Sequence, residues 1–407
     1  MTIMRTYRQL FGTPEFTALF GTLSGQVAAG TVAGIGLGTL VYAATDSPLL
    51  SALSMFGASF AQLVGAATVL SWADRVPPRA ALTGLAVFAA VTTAVLAVPG
   101  LPIVALFAVI FAQGLANSVG GGVRYGLLAE ILPPSAYILG RSLLNMSVGA
   151  MQIGGFAVGG ALVAAVSPRG ALLVGAGLQV VSALVARFGL TRRPPRATDR
   201  PSVRATWRGN RQVWQPGVYI AMWVPNGLIV GCEALFVPYS PGAASVLFVT
   251  SAIGMLLGDA IAGRFVPPRL RFRLSGPLRW LLAAPYLLFF LEPSVPVAAA
   301  LAGVASIGYG ATLLLQDRLL ATTPEPLHGQ ALGLFGSGLL AMQAVGATLG
   351  GLVAQSVPPG TAMGILAIGS LLVSAGLFVA RVASGRCAAE AGTRDVARVP
   401  AVDKAVV

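Results

Sequence analysis

MQIGGFAVGGALVAAVSP, residues 151–168, returns 191 residues later as MQAVGATLGGLVAQSVPP, residues 342–359. Both copies open on Met-Gln, place a Gly-Gly pair in an apolar run, and close on Ser and Pro. Another pair of landmarks keeps nearly the same offset: ADRVPPR from Ala73 and AGRFVPPR from Ala262. Two matched landmarks at one spacing imply two homologous halves. Parallel repeats of this kind are one of the plans on which transporters are built.

What fills each half follows from hydropathy. The chain has 407 residues, 56% hydrophobic and 10% charged, with a mean hydropathy of +0.82. A soluble domain carries about 25% charged residues, so lipid is the natural solvent here. A spanning helix needs about 20 mainly apolar residues. Twelve stretches qualify, near 16–44, 48–70, 79–98, 102–122, 139–166, 170–190, 215–237, 243–262, 275–291, 297–316, 330–355 and 361–381. Runs of this length are helices, because lipid offers no partner for backbone groups. Alternation suited to a barrel is absent. The fold class is thus an all-α membrane protein of two pseudo-symmetric six-helix bundles.

The domains follow: a bundle over 1–190, a basic linker over 191–214, a second bundle over 215–382, and a disordered tail over 383–407. The first apolar stretch is too long for a signal-peptide core and reads as a retained span. With the N-terminus placed in the cytoplasm, only Arg169 of the 26 Lys and Arg falls on the outer side. The positive-inside rule therefore supports both the orientation and the span count. This count assigns Arg124 to the cytoplasmic face. The composition points to a GC-rich genome and a bacterial cytoplasmic membrane.

Net charge is +13, but the charges cluster between apolar runs and form no solvated basic face for nucleic acid. The sole lysine, Lys404, lies in the tail, so no P-loop exists. One histidine, His328, cannot build a zinc site or a transmembrane proton relay. Cys232 and Cys387 form no framework. Neither an enzyme nor a cofactor is expected.

Polar groups within spans are costly unless they face a cavity or each other. Gln26 lies in span 1, Gln113 and Asn117 in span 4, and Asn145 and Gln152 in span 5. Asn226 lies in span 7, Gln316 in span 10 and Gln343 in span 11. Each either lines a cavity or bonds helices together. Spans 3, 9 and 12 have no central amide or acid, and Gln179 is the exception in span 6. Gly30, Gly34 and Gly38 read as a packing seam on span 1.

Glu233 sits about 16 residues into span 7, about 24 Å from its cytoplasmic end. No Lys, Arg or His stands in the outer half of another span. Glu233 is therefore expected to exchange a proton near neutral pH, as a coupling acid must. A contact to a cationic substrate, or an interfacial carboxylate bonded to Tyr239, are the alternatives. Asp259 reads as a partner of Arg264 or nearby arginines. Asp317 and Arg318 read as a cytoplasmic ion pair.

The loop LSWADRVPPRAAL resembles the G-x-L-A-D-R-x-G-R-R signature of the major facilitator superfamily. Ala73, Asp74, Arg75 and Arg79 match, while Leu70 and Pro77 replace the glycines and Pro78 an arginine. The second half echoes it with Gly263, Arg264 and Arg269. The resemblance implies a cytoplasmic gate at these residues. NMSVGAMQIGGFAVGG in span 5 resembles the G-P-x-x-G-G signature of drug-type antiporters, with Gly155, Gly159 and Gly160 kept and Phe156 in place of Pro. Ala112–Gly114 resembles the end of R-x-x-Q-G, with Ile110 at the arginine position. The general pattern is similar to the enterobactin-exporter-like and drug-efflux-like bacterial branches, with Gly25-Gln26 where relatives carry Gly-Asp.

The resemblance implies a monomeric secondary transporter working by alternating access, with a small-molecule substrate and protons as coupling ion. Export of a hydrophobic, cationic or siderophore-like compound is expected. A nutrient importer or facilitator, a lipid-handling protein and a non-transporting membrane protein are the alternatives.

Overall fold

The computed structural model describes residues 7–68, 76–195 and 203–396, and no strand occurs among them. Eleven helices are long and apolar enough to cross a membrane, and one bent pair makes twelve. Spans 1 to 6 are Pro14–Thr45, Pro48–Phe56 with Ala58–Gly65, Pro78–Leu96, Ile103–Ile131, Leu139–Ala165 and Pro168–Gly189. Spans 7 to 12 are Pro216–Tyr239, Ala244–Phe265, Arg273–Leu291, Val295–Ala321, His328–Val353 and Pro359–Ala380.

Proline sets many of the starts. Pro14, Pro48, Pro78, Pro134, Pro168, Pro216 and Pro268 each stand in a first helical turn. There the missing N–H costs nothing and the fixed φ suits the helix. Span 1 stops at Asp46, whose φ of 48° is left-handed and whose N–H bonds Tyr42 O. Ser47 then caps span 2 by accepting from Leu50 N.

Span 2 bends by 40° at Gly57. A Cβ there would lie 2.3 Å from Leu53 O, so only glycine fits the kink. Span 4 runs on to Ile131, well past its expected end at 122. Arg124 is therefore inside the bundle and not in a loop, a correction to the charge count. The linker holds a short helix, Val203–Gln212, and the last helix continues to Val396, into the segment read as a tail.

The duplicated glycines act as backbone seams in both halves. In the first half, Cβ atoms on Gly155 and Gly159 would strike Thr31 and Val32 of span 1. In the second, Gly346 and Gly350, at the same 191-residue offset, press on Gly227 and Gly231 of span 7. Close backbone approach through small residues is how lipid-embedded helices gain dispersion energy. Span 1 differs from expectation. Gly36 packs on Pro168 and Gly38 on Met55, but Gly30 and Gly34 meet nothing within 4 Å. Those two line a cavity.

The halves meet at the end remote from the chain termini. Phe156 of span 5 stacks on Phe248 of span 8, centroids 4.6 Å apart. Gly160 faces Ser245, and Gly351 faces the backbone of Leu49. Gln355 Nε2 reaches Ser47 Oγ at 3.5 Å. Ala52, Ala234 and Ala347, from spans 2, 7 and 11, form a small buried knot beside Phe56.

Candidate substrate and ion site

Glu233 occupies a place where the helices are irregular. The regular part of span 7 ends at Glu233 and resumes at Phe236. Span 10 is interrupted at Gly308 and Tyr309, between Ile307 and Gly310. Span 9 tightens into a 3-10 helix over Ala284–Leu291, which carries Tyr286. Broken helices are tolerated in membranes where protein buries them or where they serve a site.

The Tyr309 hydroxyl donates to Glu233 Oε1 at 3.1 Å. Tyr286, fully buried, packs in the same core, with its hydroxyl set against Ser251. Ser306, also buried, has an unpartnered hydroxyl among the described residues. No salt bridge to Glu233 occurs among the described residues. The acid is thus held by a phenol inside the second half. Tyr239 bonds elsewhere, donating to Pro293 O at 2.6 Å, which overturns the Glu233–Tyr239 alternative.

The first half holds a cavity of about 310 Å³. Gln26, Gln113, Asn117, Gln179 and Arg124 line it, with apolar walls from Leu23, Phe88 and Ile110. Arg124 Nη2 approaches Gln26 Oε1 at 3.4 Å. Gln113 donates to Thr92 and Thr93 Oγ1 at 2.9 and 3.2 Å, so it also ties span 4 to span 3.

The remaining amides are spread out. Gln343 Nε2 donates to Asn226 Oδ1 at 3.2 Å, bonding span 11 to span 7. Asn145 accepts from the Tyr125 hydroxyl at 3.2 Å. Gln152 and Gln316 make no hydrogen bond with the described residues. The structure therefore gathers Gln26, Gln113 and Asn117 at one cavity and leaves the others as separate contacts.

Asp74 and Arg75 of the gate motif lie outside the described residues. Arg79 is partly buried in the first turn of span 3. Gly263 and Arg264 sit exposed on a π-helical turn, Ile261–Phe265, and Arg269 is exposed at the start of the next helix. Asp317 pairs with Arg271, not with Arg318 as expected. Neighbouring residues on a helix point about 100° apart, whereas Arg271 reaches across from the separate helix Pro268–Ala283. Asp259 is exposed and makes no ion pair with the described residues, another correction. Glu15 receives Arg193 at 2.8 Å and Thr191 Oγ1 at 2.7 Å, tying span 1 to the start of the linker.

Arg124, Gln179, Tyr286 and Tyr309 were not among the expected site residues. Tyr309 carried a signal, since it lies between two glycines in an apolar run. Arg124 carried one too, as a cation next to Gly120, Gly121 and Gly122, but the rule for loop charges absorbed it.

The family model described as Major Facilitator Superfamily matches residues 17–242, more than half of the chain. The chain belongs to this superfamily. It is a multi-pass membrane transporter of that fold, with repeated halves packed as above. Among solved structures it is similar to a bacterial homolog of the human lysosomal transporter Spinster, in an inward-facing and unoccupied conformation. That match has a TM-score of 0.68 and 14% identity, covering 90% of this chain and 96% of that one. A POT family transporter in complex with 5-aminolevulinic acid gives 0.71 and 12%, covering 89% and 95%. A mutant of the nucleoside transporter NupG gives 0.69 and 12%, covering 90% and 99%. At these identities the likeness concerns the fold alone. No curated protein matches the sequence.

Proposed function

We propose that this superfamily member is a proton-coupled secondary transporter that exports a small compound with an apolar body by alternating access. The observation that carries the reading is the Glu233–Tyr309 hydrogen bond at paired breaks in spans 7 and 10. An intramembrane acid without a cationic partner is a functional site by default. A phenol can stabilise its carboxylate and still let a proton come and go. The seal at Phe156 and Phe248 supplies the closed end that alternating access requires. With both termini in the cytoplasm of a bacterial cell, that seal lies on the outside. Of the expected substrates, a cation is disfavoured by Arg124 in the cavity, while apolar walls suit a hydrophobic compound. The chain performs no covalent chemistry and works as a monomer.

Flux into or out of proteoliposomes, with and without an imposed pH gradient, tests this. Compounds would be chosen by screening a deletion strain against toxic compounds and siderophores. Gradient-driven movement that is unchanged in Glu233→Gln overturns the coupling role. Downhill movement with no response to any gradient makes the protein a facilitator instead.

A further inference from the structure

The cavity inside the first half carries chemistry that the coupling acid does not use. Span 4 ends at Ile131, so Arg124 lies about 10 Å inside it, at about 1.5 Å per residue. Its one hydrogen bond with the described residues, to Gln26 Oε1, is long at 3.4 Å. Its Nε is buried without a partner among the described residues. No Asp or Glu lines the cavity among them. From span 6, Gln179 is only 8% exposed, and its Oε1 is likewise buried and unpartnered. Leu37 and Leu96 line the cavity away from Arg124, with Phe88 and Ile110 between. Its volume of about 310 Å³ falls at the small end of ligand pockets.

A buried guanidinium without a counter-charge is strongly disfavoured. Its planar fork matches the two oxygens of a carboxylate or phosphate. The amide oxygen of Gln179 calls for a donor. We propose that this cavity binds an amphiphilic organic anion. Arg124 and Gln26 hold and orient its single anionic head. Gln179 accepts from a hydroxyl or N–H of the ligand, and the apolar body lies along the walls toward Leu37 and Leu96. The site names the substrate class for the transport reading and rests on that reading only for the step from binding to flux.

The test is equilibrium binding of radiolabelled decanoate to the full chain in phosphatidylcholine nanodiscs, with empty discs subtracted. Saturable binding is expected, with decanoate competing at least about tenfold better than decanol or decyltrimethylammonium, as a charge-assisted contact requires. Arg124→Gln should lose at least about tenfold in affinity, and Arg124→Lys should fall between it and the unchanged protein, keeping the charge but losing the two-pronged contact. Gln179→Leu leaves the guanidinium in place and guards against a fold defect. It should weaken 3-hydroxydecanoate, whose hydroxyl lies close to the head, while sparing decanoate. Equal binding of decanol and decanoate, or an unchanged affinity in folded Arg124→Gln, overturns the site. Competition by phosphatidylglycerol assigns the anion to the bilayer, and lack of it to a dissolved solute; both outcomes keep the anion site. Loss of the site with gradient-driven flux intact leaves the transport reading standing, and binding without any flux does the reverse.

Discussion

Tyr309 reaches from an interruption in span 10 to donate its phenolic hydrogen to Glu233, at 3.1 Å, where span 7 loses its own regularity. The pair joins two helices at points where neither has a full ladder of backbone bonds. Glu233→Gln should lower pH-gradient-driven flux by about a hundredfold while substrate counterflow persists, as removal of a proton carrier implies. Tyr309→Phe keeps the acid and removes its donor, so the loss should be about tenfold or less. Paired flux and counterflow measurements in proteoliposomes check both.

The seam between spans 7 and 11 should be intolerant of a single methyl group. A Cβ on Gly346 would lie 1.8 Å from Gly227 O, which is backbone and cannot swing away. Gly346→Ala should cost about 1–3 kcal/mol through overpacking. Gly333, on the same helix, has open space around its Cβ position. Gly333→Ala should be neutral or stabilise by about 0.5–1 kcal/mol. Thermal unfolding of the two variants in one detergent compares them directly.

The seal between the halves offers a cross-link. Ser47 and Gln355 come within 3.5 Å across the interface. In a background carrying Cys387→Ser, the pair Ser47→Cys and Gln355→Cys should be bridged by a short bis-methanethiosulfonate reagent, since the contact is made by the end of the long glutamine side chain. If the halves must part there during each cycle, the cross-link abolishes flux and a reductant restores it. Full activity in the cross-linked protein would place the moving contact elsewhere.

The Arg271–Asp317 pair is partly exposed, with side chains 31% and 45% accessible. Asp317→Asn should therefore cost no more than about 0.2–1 kcal/mol. The difference should shrink in high salt, because screening acts on exposed charges. A double-mutant cycle with Arg271→Gln, read by thermal stability at two salt concentrations, measures it.

The spans were legible because length and hydropathy are local properties, fixed by the thickness of hydrocarbon. The repeat was legible too, and Gly155 with Gly346 shows why: both copies perform the same close packing, so both were kept to glycine. The bend at Gly57 was not legible, since isolated glycines are common along straight spans. Partner choice was the weakest point. Asp317 reads from sequence as the partner of Arg318, and of the alternatives for Glu233 only an own-span bond to Tyr239 named a protein partner, but the structure gives each a partner from another helix. Arg124 failed for a different reason. A cation near a helix end reads as a loop marker, and only the full length of span 4 shows that it is enclosed.

Where spans 7 and 11 touch, Gly227, Gly231, Gly346 and Gly350 leave no side chain between the two chains of carbonyls. Such a joint has no lubricating layer, so the two helices travel as one strut. If the halves rock as proposed, Glu233 and Gln343 ride on the same rigid piece, and the spacing between acid and amide stays constant throughout. Motion must be taken up where flexible side chains do the holding, which gives the aromatic clasp of Phe156 and Phe248 the part of a latch.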